Sequence, residues 1–327
     1  MATLTQLNPQ GRLRHLITLE GLGKELITGL MDAAERYLTQ PGALPARDDS
    51  LKGRTVANLF FEPSTRTRAS FELAAKRLSA DVINLDVNMS SRAKGESILD
   101  TIYTLEAMQA DVFVLRDSEP GIPAYIAEHV RPHVSVLNAG EAHLSHPTQG
   151  LLDALTIRQR FRDFTQLRVA IVGDIEHSRV ARSAITVLRT LKVGAIHMIG
   201  PEEFMPSSIE LPGLQQFPDL EAGIRDAHVV MALRIQRERI VKGTESLGQA
   251  EYFRRFGLTA ERLKLAHPDA IVMHPGPMNR NVEISDDVAD GQRSVIRQQV
   301  TNGVAIRMAV LSAIAESMGA TTPAARG

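Results

Sequence analysis

The 327-residue chain contains no cysteine and no tryptophan, and aromatic residues make up only 4% of it. Without cysteine, disulfides, thiolate metal sites and cysteine nucleophiles are all excluded. A surplus of either charge is also missing. Thirty-seven basic side chains face 38 acidic ones, a net charge of −1, so no bulk field draws the chain to nucleic acid or an anionic membrane. Any anion site must therefore be a local cluster. No uninterrupted apolar run approaches membrane-span length. Residues 1–14 are polar and lack the apolar centre of a signal peptide, so a soluble cytoplasmic protein is the expectation. A Walker lysine motif and the G-x-G-x-x-G dinucleotide fingerprint are absent too, which disfavours a P-loop NTPase and a nucleotide-dependent dehydrogenase.

What is present is a globular composition, 43% hydrophobic and 23% charged, on a chain long enough for two domains. An amphipathic helix is expected over 22–38, and strand-like and helix-like segments then alternate. The pattern predicts strands at 55–61, 82–86, 111–115 and 134–138, with helices at 65–78, 96–108 and 121–129 between them and a polar loop at 87–95. A helix over about 148–160 links this run to a second. There the strands are 168–172, 195–199, 228–233 and 271–273, with a helix at 178–191 and a last one over about 294–317. The prolines at 201, 206, 212 and 218 argue against regular structure in that stretch. Such alternation predicts an α/β protein with two doubly wound parallel-sheet domains.

The stretch Phe60-Phe61-Glu62-Pro63-Ser64-Thr65-Arg66-Thr67-Arg68 stands out. A strand stops at Pro63, and a helix opens with three hydroxyls and two arginines in its first turn. Cations are unfavourable there, because the helix dipole is already positive at that end. The pattern suits a site that holds an anion on backbone N–H groups, hydroxyls and guanidinium forks. Taken alone, it is equally an N-cap serine followed by surface arginines.

Ligands of open α/β sheets bind outside the carboxyl ends of the strands. Arg116, the segment Asn138 to Gln149, Gly173-Asp174 to Arg179, Arg234 with Gln236, and His274-Pro275-Gly276-Pro277 each follow a predicted strand. Together with Arg66 they suggest an interdomain cleft lined by Arg66, Arg116, His146, Arg179 and Arg234. Phosphate plus carboxylates suits that set better than phosphate alone. Each residue also has a plainer reading. Arg116 pairs equally well with Asp117 or Glu119 at the surface. His146 before Pro147 is equally a helix-entry residue, and His143 with His146 lacks the further ligands a zinc site needs.

At this point the chain resembles the carbamoyltransferase family. Ser64-Thr65-Arg66-Thr67-Arg68 is similar to its carbamoyl-phosphate signature, and His146-Pro147-Thr148-Gln149 and His274-Pro275-Gly276-Pro277 extend the likeness over nearly the whole chain. Three features resemble the aspartate branch in particular. Ser90-Ser91-Arg92-Ala93-Lys94-Gly95-Glu96-Ser97 is similar to its serine–lysine loop, and Arg234-Ile235-Gln236 to its aspartate-binding segment. The ornithine branch's usual cysteine cannot be present.

The resemblance implies carbamoyl transfer from carbamoyl phosphate to L-aspartate, the committed step of de novo pyrimidine biosynthesis. Ser64, Thr65, Arg66, Thr67 and Arg116 would hold the phosphate. His146, Arg116 and Thr67 would polarise the carbamoyl carbonyl, and Gln149 with Pro275, Gly276 and Pro277 would grip the carbamoyl amide. Lys94, Arg179, Arg234 and Gln236 would bind aspartate. Ser90 and Lys94 would enter from a neighbouring subunit of a homotrimer. No cofactor, metal, nucleic acid or membrane is implied. The carbamoyl-phosphate domain would span 1–147 joined by 293–327, and the aspartate domain 148–292. Whether the trimer joins regulatory or dihydroorotase-type chains stays open.

Two positions depart from the family's habit: Asn281 and Ser79 stand where glycine is common. Asparagine tolerates a left-handed backbone better than most residues, so the turn at Asn281 is expected to survive. A cis Gly276–Pro277 peptide is also expected from the resemblance. The rivals are a carbamoyltransferase with ornithine or a related amine as acceptor, and an inactive binding or regulatory homologue.

Overall fold

The computed structural model describes residues 6–40, 42–85, 97–206, 213–235 and 248–319. The chain divides into two compact units, Met1–Leu152 with Thr301–Gly327, and Asp153–Val300.

In the first unit, α1 (Lys24–Glu35) buries Ile27, Leu30, Met31 and Ala34, the helically spaced apolar residues of its sequence. The alternation then runs β1 (Thr55–Phe60), α2 (Thr65–Arg77), β2 (Asp81–Leu85), α3 (Ile98–Ala107), β3 (Ala110–Asp117), α4 (Ile122–His129) and β4 (Ser135–Glu141). These strands form one parallel sheet in the order β2-β1-β3-β4. Every residue of β3 and β4 is buried, whereas β2 at the edge is half-exposed. Continuous burial is what a parallel sheet covered on both faces imposes. Ala57, Leu59, Phe113, Leu115 and Val136 form its core with Ile102, Leu105 and Ile126 from the helices.

The helix α5 (Pro147–Arg160) carries the division between units inside it. The second unit follows with β5 (Arg168–Val172), α6 (Arg179–Thr190), β6 (Ala195–Ile199), β7 (Leu214–Phe217), α7 (Leu220–Ile224), β8 (Val229–Ala232), α8 (Gln249–Phe256), α9 (Ala260–Leu263), β9 (Ile271–Met273) and α10 (Asp286–Ala289). Its parallel sheet has the order β7-β6-β5-β8-β9. The final helix, α11 (Ile296–Gly319), returns the chain to the first unit. Among the described residues no helix is long and apolar enough to cross a membrane.

The α/β class is as expected, and most elements fall within a few residues of their predicted bounds. One expectation fails. Regular structure was not expected among the prolines at 201–218, yet Glu202–Phe204 forms a 3-10 turn and β7 pairs in register with β6, Ile196 opposite Leu214 and Ile199 opposite Phe217. An edge strand needs hydrogen bonds on one side only, so a four-residue strand fits just ahead of Pro218. Two strand ends also move. β3 runs on to Asp117 and β4 to Glu141, so Arg116 and Asn138 lie within strands instead of following them.

The left-handed positions reflect residue choice as well. Asn281 has φ 59°, Ser79 φ 64°, and Gly276–Pro277 is cis. All three agree with the expectations from sequence.

His15 anchors the N-terminal segment to β4. Its Nδ1 accepts the Val136 N–H at 3.0 Å, while Leu16 N donates to Val136 O and Asn138 N to Leu16 O. Burial, with the adjacent Arg14 guanidinium, pushes the His15 pKa down to about 3 from an ordinary 6.5. Between those values the unfolded chain binds a proton that the folded chain refuses. The neutral ring therefore supports the fold fully above pH 6.5, and that support is lost as pH falls towards 3. Replacing His15 by Gln, which keeps an acceptor for Val136, is expected to flatten the decline of Tm below pH 6.5. Thermal unfolding across that range checks this, and equal slopes for the two proteins would contradict it.

Candidate active site

In the first unit, the unusual polar residues emerge from the carboxyl ends of three adjacent strands. Neighbouring strands lie about 4.8 Å apart, so the ends of β1, β3 and β4 fall within roughly 10 Å. Ser64 holds the N-cap position of α2 in extended backbone and makes no side-chain capping bond. The first turn of α2 contains no acidic residue. Arg66 is exposed, Thr67 is buried, and Ser64 is half-buried.

Arg116 sits directly opposite Phe60 in the sheet register, and Phe61 N donates to its carbonyl. Its side chain is buried and not at the surface, where the plainer reading put it. The residue is 8% exposed, and its guanidinium donates to Ala139 O at 3.2 Å and to Glu62 Oε1 at 3.2 Å. Asp117 accepts from Glu119 N. The guanidinium thus reaches Glu62, two residues before Ser64, and Ala139 within β4, just ahead of the turn that closes that strand.

That turn is shaped by Glu141, whose carboxylate accepts from Gly121 N and from Asn138 Nδ2. Ala142, at φ 43°, reverses the chain, and Glu141 N bonds Ser145 O. His146 follows, buried, immediately before Pro147 opens α5; its carbonyl accepts from Gln149 N and Gly150 N. Proline suits the first helical position, where its missing N–H costs nothing. Thr148 and Gln149 are buried in the same turn.

In the second unit, β5 gives way to Gly173, whose φ of 131° would strain any side chain and which leaves little room for one beside Leu233. A Cβ there would lie 3.0 Å from Leu233 Cβ. Asp174 is buried and accepts from His177 N at 3.1 Å and His177 Nδ1 at 2.9 Å. Burial raises the Asp174 pKa against the opposing pull of His177. Ser178 caps α6 by accepting from Ala181 N, and Arg179 takes the first helical position while only 4% exposed. Like Arg66, this cation occupies the positive end of a helix dipole, the place where an anion would compensate it. Arg234 follows β8 and is half-buried, and Leu233 N is bonded to Val172 O. After β9, His274 N donates to Gln299 Oε1, and Gly276 N donates to His274 Nδ1 at 2.8 Å, which fixes the ring proton on Nε2.

Ser64 to Thr67, Arg116, His146 and Gln149 therefore share one end of the first sheet. Arg179, Arg234 and Pro275 to Pro277 share the corresponding end of the second. Ser90, Lys94 and Gln236, together with the polar loop expected at 87–95, lie outside the described residues. Sequence reasoning quoted Glu62 and Asp174 within their segments but gave them no role, and it passed over His177 and Glu283. Glu62 stands inside the signature it serves, and Glu283 is a lone carboxylate between Val282 and Ile284, a pattern that signals a buried acid.

The family model described as aspartate/ornithine carbamoyltransferase, carbamoyl-P binding domain, matches residues 14–159. Its companion, the Asp/Orn binding domain, matches residues 165–314. Among solved structures, aspartate transcarbamoylase from Trypanosoma cruzi in complex with carbamoyl aspartate and phosphate is 30% identical. Its TM-score is 0.80 over 92% of this chain and 95% of its own. The same protein with carbamoyl phosphate and aspartate matches at 29% identity and TM-score 0.81, over 92% and 96% of the two chains. Ornithine carbamoyltransferase from Thermus thermophilus is 25% identical, with TM-score 0.79 over 92% of this chain and 98% of its own. With two family models covering most of its length and the strand-end chemistry in both sheets, the chain belongs to the aspartate/ornithine carbamoyltransferase family.

Proposed function

We propose that the chain transfers the carbamoyl group of carbamoyl phosphate to the amino group of L-aspartate, releasing N-carbamoyl-L-aspartate and phosphate. The observation that carries the choice of acceptor is the pair of guanidiniums in the second unit, Arg179 at the start of α6 and Arg234 after β8. Two cations suit an acceptor with two carboxylates. Ornithine carries an amine in its side chain and would need an acid there. Asp174 and Glu283 are both committed, to His177 and to backbone amides respectively. The Trypanosoma cruzi relative, solved with carbamoyl phosphate and aspartate, supports the same reading.

In this reading Ser64, Thr65, Arg66, Thr67 and Arg116 bind the phosphate. Arg116, Thr67 and His146 donate to the carbamoyl oxygen, and Gln149 and the Pro275 to Pro277 turn orient the amide. Arg179, Arg234 and Gln236 hold the aspartate carboxylates. The deprotonated amine attacks the carbamoyl carbon, the C–N bond forms, and the oxyanion collapses by breaking the C–O bond to phosphate. The leaving phosphate takes up the amine proton, so no dedicated base is required. His146 works as a neutral donor. Fixing both reactants in attack geometry supplies about 7–11 kcal/mol of the barrier reduction. Each lost oxyanion donor costs about 3–4 kcal/mol. Ser90 and Lys94 complete the site from a neighbouring subunit of a homotrimer, and the product feeds pyrimidine synthesis.

The deciding assay supplies carbamoyl phosphate with either aspartate or ornithine and measures carbamoylated product. Aspartate is expected to be the acceptor; product from ornithine alone would overturn the reading. Arg66→Ala is expected to lower turnover by roughly a hundredfold or more. Lys264→Ala, on an exposed pair with Glu261, is expected to leave it unchanged. Subunit sharing is tested by mixing Lys94→Ala chains with His146→Ala chains. Each is inactive alone, and activity is expected to return on mixing; no recovery would refute a shared site.

A further inference from the structure

Glu283 belongs to none of the roles above, yet its carboxylate is heavily engaged inside the second unit. It lies in the turn after β9, is 1% exposed, and points both oxygens at buried donors. Oε1 accepts from Ile235 N at 3.1 Å and from Asn279 Nδ2 at 2.8 Å. Oε2 accepts from Asn279 N at 2.8 Å and faces His274 Nε2 at 3.8 Å. His274 Nδ1 accepts from Gly276 N, so the ring is held by the turn itself while its Nε2 lies near the carboxylate without a hydrogen bond to it. The main chain adds a further tie, since Leu258 N donates to Glu283 O at 3.0 Å.

These bonds reach two segments that regular structure does not hold. The first is the exit from β8. Arg234 is flanked by Leu233, whose N–H is bonded to Val172 O, and by Ile235, whose N–H is bonded to Glu283. The Arg234 main chain is therefore pinned on both sides, once by the sheet and once by Glu283. The second is the His274 to Asn279 turn, held at its end by both nitrogens of Asn279. One carboxylate thus sets the distance between the Arg234 backbone and the turn that carries Pro275.

A carboxylate suits this task better than an amide. It is acceptor-only, with about four lone-pair directions, and every group aimed at it is a donor. Burial by itself pushes the Glu283 pKa up, but the nearby His274 and the donors of Asn279 and Ile235 outweigh it and hold the acid below the ordinary range. The ionised form is thus the one present at neutral pH.

We propose that Glu283 is a positioning residue for the acceptor side of the reaction, fixing Arg234 and the His274 to Asn279 turn in one frame. The inference rests on the reading of Arg234 as a ligand of the aspartate carboxylates. Glu283 itself touches no substrate, and its effect passes through the Ile235 and Asn279 amides.

The test compares steady-state kinetics of wild type, Glu283→Gln, Glu283→Asp and Asn279→Ala, varying aspartate and carbamoyl phosphate separately. Glu283→Gln keeps the size but turns an NH2 group towards N–H donors. Stranding a buried donor in this way is expected to raise the aspartate KM and lower kcat by about tenfold each. The carbamoyl phosphate KM, set by phosphate ligands in the first unit, is expected to stay within about threefold. Glu283→Asp keeps the charge but is too short to reach both segments, and is expected to fall in between. A merely structural role would lower Tm and weaken both substrates alike. If Glu283→Gln does not fold, Asn279→Ala, which removes one of the three hydrogen bonds, must still raise the aspartate KM selectively. An unchanged aspartate KM in a folded variant, or equal losses for both substrates, overturns the role of Glu283. Wild-type protein that makes no carbamoyl-aspartate overturns the acceptor reading, and with it the assignment of Glu283 to that acceptor.

Discussion

The guanidinium of Arg116 is buried at the end of a fully buried strand, and its neutralisation is the constraint on which the first unit depends. Burying a charge costs several kcal/mol unless it is paired and hydrogen-bonded. Here the compensation comes from Glu62 on one side and the Ala139 carbonyl on the other. Those two partners lie on the two strands that flank β3, beyond the ends of β1 and within β4. A charge on an inner strand of the sheet therefore ties the approach to α2 to β4, the strand that leads into α5. The positive end of α2, with Arg66 in its first turn, adds a second cation at the same edge. In the proposed reading such an edge would receive a phosphate on donors oriented before the anion arrives.

The second unit solves the opposite problem. Tyr252, Asp174 and Glu283 place three acidic groups in its interior, and burial together with the neighbouring carboxylates pushes the Tyr252 phenol up. Asp174 and Glu283 remain tolerable because backbone and imidazole donors surround them. Gly173, next to Asp174, lies beside Leu233 and the Tyr252 hydroxyl and leaves little room for a side chain. Polar networks of this kind contribute less to stability than apolar packing would, and more to a single arrangement of the groups they hold. The groups held are Arg234 and the His274 turn, which are the groups the proposed chemistry requires in fixed positions.

How much of this was legible beforehand follows from which forces act locally. The buried strands declare themselves as apolar runs, because a parallel sheet covered on both faces needs apolar residues at every position. The left-handed turns at Asn281 and Ser79 follow from where glycine is customary in the family. The strand Leu214–Phe217 was invisible among its prolines, because an edge strand is made by its neighbour β6 rather than by its own sequence. Arg116 was read at the strand end with two candidate acids beside it in sequence. Its guanidinium also finds an acid 54 residues earlier, brought there by strand pairing.

The sequence alone determined the α/β class, the residue types available for anion binding, and the exclusion of thiol chemistry, and it disfavoured P-loop and dinucleotide chemistry. All of these depend on composition, periodicity and motifs a few residues long. The partnerships were decided only by tertiary structure: Arg116 with Glu62, Asp174 with His177, and Glu283 with Ile235 and Asn279. A buried charge must find its partner wherever the packed chain brings one, and the Arg116–Glu62 and Glu283–Ile235 pairs join residues far apart in sequence.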